Sequence, residues 1–299
     1  MDCGSRSLPI RLNRFRHFVA IDWSGAAGER QSGIALALCS LGDQAPALVR
    51  PGHRWSRNEV LHWLLDLMPA DTLVGLDLGI SLAFADRGAF FPGWSDSPAE
   101  ARALWALVDR LCIADAHLSV TSFVDHAEAA RHFRRHGGRE GDLFGGGRGR
   151  LRTTELAQQA MGCRPCSNFN LVGAAQVGKS SLSGMRMLHR LEGRLPVWPI
   201  DPLPETGSVL VEIYTTIAAM AAGRNPGRSK IRAVQELNHA LEALGSDPVA
   251  GAGPIDDHSS DALLTAAWLR KAANRKELWE PPALTSQVAR TEGWTFGAE

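Results

Sequence analysis

Acidic residues that close apolar runs are the first feature with chemical content. "HFVAID" ends on Asp22, "TLVGLD" on Asp77 and "VLVE" on Glu212. Farther on, "DDHSSD" sets Asp257, His258 and Asp261 three or four residues apart, on one face of a helix. A charge inside an apolar strand is costly unless something compensates it. Several carboxylates brought together repel and raise one another's pKa. A divalent cation removes both penalties, and oxygen ligands at an open site suit Mg²⁺ or Mn²⁺. Two such ions ~4 Å apart serve phosphodiester hydrolysis, one activating water and the other stabilising the leaving oxygen. Each acid taken singly has an ordinary explanation as a turn former or helix cap, and Asp257 could cap the last long helix. Their order along the chain is the more specific signal.

Those acids need elements to position them. "HFVAIDW" has Phe18, Ala20 and Asp22 on one side and Val19 and Ile21 on the other, which predicts a central strand covered on both faces. "GIALALCSL" predicts a second strand and "ALVRPGHRW" a weaker third, joined by short turns as an antiparallel meander. A helix follows, capped by Ser56 with Glu59 closing the capping box. "TLVGLDLG" then returns as a strand parallel to an earlier one, because a strand–helix–strand crossover requires it. Asp22 and Asp77 would thus emerge at the same sheet edge, where open α/β sheets bind ligands. "SVLVEIYTT" resumes the sheet, and two helices, "SKIRAVQELNHALEALG" and "DDHSSDALLTAAWLRKAAN", follow it. Between these parts residues 80–205 read as a mostly helical, partly Gly/Arg-rich insertion. It includes a helix capped by Ser97 with Pro98 at its first position, and the Pro-rich connector "RLPVWPIDPLPETG". The expected organisation is one domain over 17–299 with residues 1–16 as a flexible tail.

The bulk numbers exclude several classes. The 299 residues are 44% hydrophobic and 21% charged, which supports a buried core and argues against global disorder. Lys plus Arg equal Asp plus Glu at 32 each, so any nucleic-acid footprint must be local. No apolar run reaches the length of a membrane span, and five scattered cysteines fit a reduced, cytoplasmic protein. "CRPC" (Cys163, Cys166) has metal or redox spacing but no second pair. Trp63, Trp105 and Trp268 fall on predicted helices and read as core.

"GAAQVGKSS", Gly173–Ser181, fits the phosphate-loop pattern. That loop needs a strand before it, and "SNFNLV" is a poor one, so nucleotide hydrolysis is not the expectation. A helix starting there could still hold a substrate phosphate with Lys179 and Ser180. The segment from Arg131 to Arg152 carries seven arginines, among them Arg148 and Arg150, that could neutralise a nucleic-acid backbone or form a solvated loop.

The series of acids resembles that of the ribonuclease H-like superfamily. More closely, "FVAIDWSG", "VGLDLGIS", "QVGKSSLSGMRMLHRL", "VEIY", "DDHSSDALLTAAWL" and "TEGWTFG" resemble the family called domain of unknown function 429, described as predicted nucleases of that fold. The resemblance implies an α/β fold with a mixed five-stranded sheet ordered 3-2-1-4-5, strand 2 antiparallel. It implies Asp22, Asp77 and Asp261 as Mg²⁺ or Mn²⁺ ligands, with Glu212, Asp257 or His258 assisting. The implied activity is metal-dependent hydrolysis of nucleic acid, DNA or RNA. Sugar kinases and actin-like ATPases share that core and give the alternative of ATP-dependent phosphotransfer, but they duplicate the fold and only one copy is evident. A catalytically silent scaffold is the third reading.

Overall fold

The computed structural model describes residues 14–172 and 177–299. Its strands are β1 (His17–Asp22), β2 (Ala35–Ser40), β3 (Ala47–Leu48), β4 (Thr72–Asp77), β5 (Val197–Trp198) and β6 (Val209–Glu212). Its α-helices are α1 (Arg57–His62), α2 (Ala101–Leu111), α3 (Thr121–Val124), α4 (Thr153–Ala160), α5 (Val177–Arg190), α6 (Thr215–Ala221), α7 (Val234–Ala243), α8 (Asp257–Ala272), α9 (Lys276–Trp279) and α10 (Ser286–Thr291). The fold is α/β, around one mixed six-stranded sheet of order β3-β2-β1-β4-β6-β5.

The strands expected from sequence lie in the expected order, with β2 antiparallel to β1 and β4 parallel to it. Two details differ. The third strand is only Ala47–Leu48. The Pro-rich connector contributes an edge strand, β5, because Val197 and Trp198 are buried against β6.

Alternation along β1 creates two cores. Val19 and Ile21, with Val74, Leu76 and Leu210, face a cluster that includes Trp63, Phe90, Trp105, Leu182 and Met185. Phe18 and Ala20, with Leu73, Val209 and Val211, face Ile217, Leu237, Leu263 and Trp268 from α6, α7 and α8. Each fully buried Val, Leu or Ile contributes about 1.5–3 kcal/mol. A one-residue slip of β1 would exchange the two faces, so double-sided burial fixes the register. The register matters because it sets Asp22 directly beside Asp77. Gly75 is required two residues earlier: a Cβ there would stand 2.8 Å from Leu269 of α8 and 2.7 Å from Ile213.

Most of the middle region, residues 80–205, covers one sheet face, with α2 packed on α5, while Ala157, Met161, Cys163 and Trp198 join the core on the other face. Several boundaries move. Ser97 does not cap α2; its hydroxyl accepts from Phe91 N, and the helix starts after Glu100. Helix α7 begins only at Val234, leaving Lys230 and Ile231 in the preceding loop. Ser56 and Glu59 do form the expected capping box on α1. Part of the expected tail is anchored: Phe15 is buried and stacks on Trp279, and Arg14 Nη2 donates to Gly207 O at 2.8 Å. Residues 1–13 lie outside the described residues. Among the described residues, no helix is long and apolar enough to cross a membrane.

Candidate active site

Asp22 and Asp77 close two parallel neighbouring strands in register, and both line a cavity of about 350 Å³ at the carboxyl edge of the sheet. Arg152, Glu155, Lys230 and His258 line it too, with Trp23, Cys166 and Tyr214. Both aspartates follow the strand residues that face α8, and α8 supplies the next layer. Asp256 caps α8 by accepting from Ser259 N at 2.9 Å, which starts the helix so that His258 and Asp261 turn toward the sheet. His258 Nδ1 lies 3.1 Å from Asp22 Oδ2. Asp261 is ion-paired with Lys230 Nζ.

The electrostatics follow from burial. Desolvation pushes the Asp77 carboxyl well above the usual carboxylate range, and Asp22, Asp261 and Glu212 push it the same way while Lys230 opposes. Burial also raises Asp22, against the hydrogen bond and charge of His258. Asp261 is raised to about 6 by burial, with Lys230 pulling the other way. The hydrogen bond to Asp22 raises His258. Burial disfavours the charge on Lys230, but its carboxylate neighbours, Asp261 first, outweigh that and raise it. This is a cluster of crowded carboxylates with one resident ammonium group.

The turn after β4 is held close to α5. Gly79 N donates to Ser181 Oγ at 3.0 Å, and Ser181 Oγ donates to Asn168 Oδ1 at 3.1 Å. A Cβ on Gly79 would sit 2.1 Å from Asn168 Nδ2, so the turn has no room for any other residue without displacing Asn168.

Several expected site residues have other occupations. Glu212 follows Leu210, so strand alternation places it on the sheet face opposite Asp22 and Asp77, yet at the sheet edge it lines the same cavity. There it receives Arg152 Nη1 at 2.8 Å and Nη2 at 2.6 Å, Ile80 N at 2.8 Å and the Thr295 hydroxyl. Its carboxylate is occupied by these donors, Arg152 above all. Asp257 is drawn outward to Arg232 at 3.0 Å, and the hydrogen bond lowers its pKa. It neither caps α8 nor lines the cavity. Arg150 is buried and bound to Asp86 at 2.6 and 2.8 Å and to the carbonyls of Ala83, Ala89 and Phe90, so it pins a loop and cannot meet substrate. Arg148 is exposed, away from the carboxylate cavity. Lys179 and Ser180 begin α5 but divide: Ser180 lines the carboxylate cavity, whereas Lys179 lines a second one. Residues 173–176, the front of the phosphate-loop pattern, lie outside the described residues, and "SNFNLV" forms no strand.

Sequence reasoning missed Lys230 and Glu155, and read Arg152 only as one of the arginines facing a nucleic-acid backbone. Arg152 Nε donates to Glu155 Oε1 at 2.9 Å, and burial raises Glu155 to about 6 against the pull of Arg152. The "xLRTTE" spacing held a signal for that pair, since a residue before a helix and a Glu three later often bond. Nothing marked Lys230.

Two carboxylates facing one cavity can take a hard divalent cation, with water and substrate oxygens completing its shell. Among the described residues, no group of three or more His, Cys, Asp or Glu is placed to hold a metal ion. Asp261, the expected third ligand, is occupied by Lys230. Comparison with known proteins adds no assignment: no family model, no curated protein and no solved structure matches the chain.

Proposed function

We propose that this protein hydrolyses phosphodiester bonds of nucleic acid with Mg²⁺ or Mn²⁺ held by Asp22 and Asp77, on a ribonuclease H-like core. The observation that carries the reading is the in-register aspartate pair, Asp22 buried and Asp77 half-buried, both raised in pKa and open to one cavity. Like charges so placed bind either protons or a cation. Mg²⁺ is commonly held by one or two carboxylates together with substrate phosphate and water, so the pair suffices without Asp261. The sheet order, with β2 antiparallel and both acids at the carboxyl edge, supports the ribonuclease H-like assignment.

A bound cation would supply Lewis-acid activation of water and neutralise charge gathering on the phosphoryl group. The chain's own residues do the rest. Asp22 and Asp77 would hold the cation, and the parallel strands that they close set the two carboxylates side by side. Lys230, which lines the same cavity beside its partner Asp261, would present a positive charge to phosphate oxygens. His258 is bonded to Asp22 yet its side chain is 44% exposed, so it can exchange a proton between the cavity and solvent.

The test is cleavage of labelled single-stranded, duplex and branched DNA and RNA in Mn²⁺, with Asp22→Asn as the control. Cutting that needs the metal and vanishes in Asp22→Asn supports the reading. If no substrate in the panel is cut in Mn²⁺, the reading fails.

A further inference from the structure

A second cavity, of about 170 Å³, lies on the far side of the contact between the turn after β1 and the first turn of α5. One water needs only ~10–15 Å³, so there is room for a polyatomic group. Its walls carry Arg57, Arg135, Arg139 and Lys179 against a single carboxylate, Asp125. Arg135 meets Asp125 at 2.9 Å and Arg139 stands 3.8 Å from the same residue, so one acid serves two guanidinium groups. Arg135 Nε is buried and bonds no described partner.

Arg57 is the unusual member. Its side chain is 2% exposed, and it spends its donors on carbonyl oxygens: Ser24 O at 2.8 and 3.0 Å, Ala26 O at 2.6 Å and His117 O at 2.9 Å. Among the described residues no carboxylate lies within ion-pair distance of it. Carbonyl dipoles satisfy its hydrogen bonds but do not cancel its charge, and a buried charge without a counter-ion is costly. Arg186, close behind it, adds to the positive field, and burial and Arg186 together lower Arg57 to about 10. The cavity is short of negative charge.

Its location says which anion fits. Lys179 and Ser180 are consecutive, yet Lys179 faces this cavity and Ser180 the carboxylate one. Trp23 faces the carboxylate cavity and Gly25 this one, and a Cβ on Gly25 would lie 2.4 Å from Ser180 N. The wall between the two is therefore one backbone contact thick. A chain of phosphates running past Asp22 and Asp77 would have this cavity beside its path.

The geometry points to this basic cavity as the seat of a neighbouring, uncleaved phosphate of the strand whose scissile phosphate faces Asp22 and Asp77. The inference rests on the nucleic-acid reading of the site. It requires no bond to be made or broken and no metal. Lys179 and Arg139 bind; Arg57 fixes the wall and the field.

The test is binding of a fluorescent single-stranded oligonucleotide in EDTA, read by anisotropy across a salt series, for the wild type, Lys179→Gln/Arg139→Gln and Asp22→Asn. Each lost phosphate contact lowers the magnitude of the log–log salt slope by about 1. The double variant is expected to bind roughly 10-fold more weakly with a slope smaller by about 1–2, while Asp22→Asn binds as tightly as the wild type or more so. An unchanged slope and affinity in the double variant overturns the inference. A calorimetric arm uses inorganic phosphate alone. If phosphate binding is lost in the double variant while oligonucleotide binding is unaffected, the cavity takes free phosphate and the strand assignment is overturned. Because no metal is present, a failure here is separable from a failure to cleave in Mn²⁺.

Discussion

Replacing Arg152 by Met should destabilise the protein more than any exposed ion-pair deletion, and in a pH-dependent way. Arg152 is 2% exposed and holds Glu212 through two hydrogen bonds and Glu155 through a third, with Glu292 O as a fourth acceptor. Burial disfavours its charge, but Glu155 and Glu212 outweigh that and raise its pKa. Met fills the apolar part of the space and leaves two carboxylates buried without a counter-charge. Breaking a buried pair in this way costs about 3–5 kcal/mol. For a chain of this size about 1 kcal/mol corresponds to roughly 2 °C, so the melting temperature should fall by roughly 6–10 °C at about pH 8. Glu155, already raised to about 6, would rise further in the variant. A carboxylate whose folded pKa exceeds its unfolded one costs stability above the folded pKa, and that cost fades as pH falls. The deficit should therefore shrink between about pH 8 and about pH 5. The comparison is Arg102→Met, which breaks the Arg102–Asp201 pair where the Arg side chain is 43% exposed and should cost under about 1 kcal/mol. Calorimetric melts of the three proteins at both pH values decide it. Equal losses for the two variants, or a deficit for Arg152→Met that grows on acidification, would refute the account of Glu212 as a bound structural anion.

Two more outcomes follow from buried titratable groups. Asp77→Asn should raise the metal-free melting temperature above about pH 7, because it removes a carboxylate that burial and its neighbours hold well above its normal range. Added Mn²⁺ should then raise the melting temperature of the wild type but not of this variant; an equal shift in both would show that the ion binds elsewhere. His132 is buried against Phe91, neither ring nitrogen has a described partner, and burial with Arg150 and Arg131 lowers it to about 4. A depressed imidazole contributes stability above its unfolded pKa that is lost as pH falls toward the folded one. His132→Phe should thus lose about 2–3 kcal/mol less than the wild type between about pH 6.5 and pH 4, and parallel melting curves over that range would contradict it.

The strands and their order were legible because each is a short apolar run closed by an acid or a turn, and β1 and β4 carry apolar residues on both sides. The pairing of Asp22 with Asp77 followed from the crossover rule alone. Helix starts were less legible. Ser97 satisfied every local rule for a cap, yet Phe91 N claimed its hydroxyl, and that partner is set by tertiary packing. β5 was hidden because two buried residues among prolines carry no periodicity. The Arg-rich stretch misled in a similar way: Arg150 looks like its neighbours in sequence but is folded inward onto Asp86.

What the sequence could not disclose is how each acid is compensated. Counter-charges arrive from positions with no fixed spacing to the acids they serve: Lys230 reaches Asp261 across 31 residues and Arg152 reaches Glu212 across 60. The outcome divides the acids in chemical terms. Glu212, Asp257 and Asp261 each have a cation of their own in Arg152, Arg232 and Lys230. Asp22 has only His258, whose charge depends on pH, and Asp77 forms no salt bridge with any described side chain. The fold thus pairs three acids with cations and leaves two adjacent ones crowded at an open cavity, which is the pair the proposed cation would occupy. The strand register that places them side by side is thus the structural basis of the proposed chemistry, and shifting β4 by one residue would abolish it without changing a single acidic side chain.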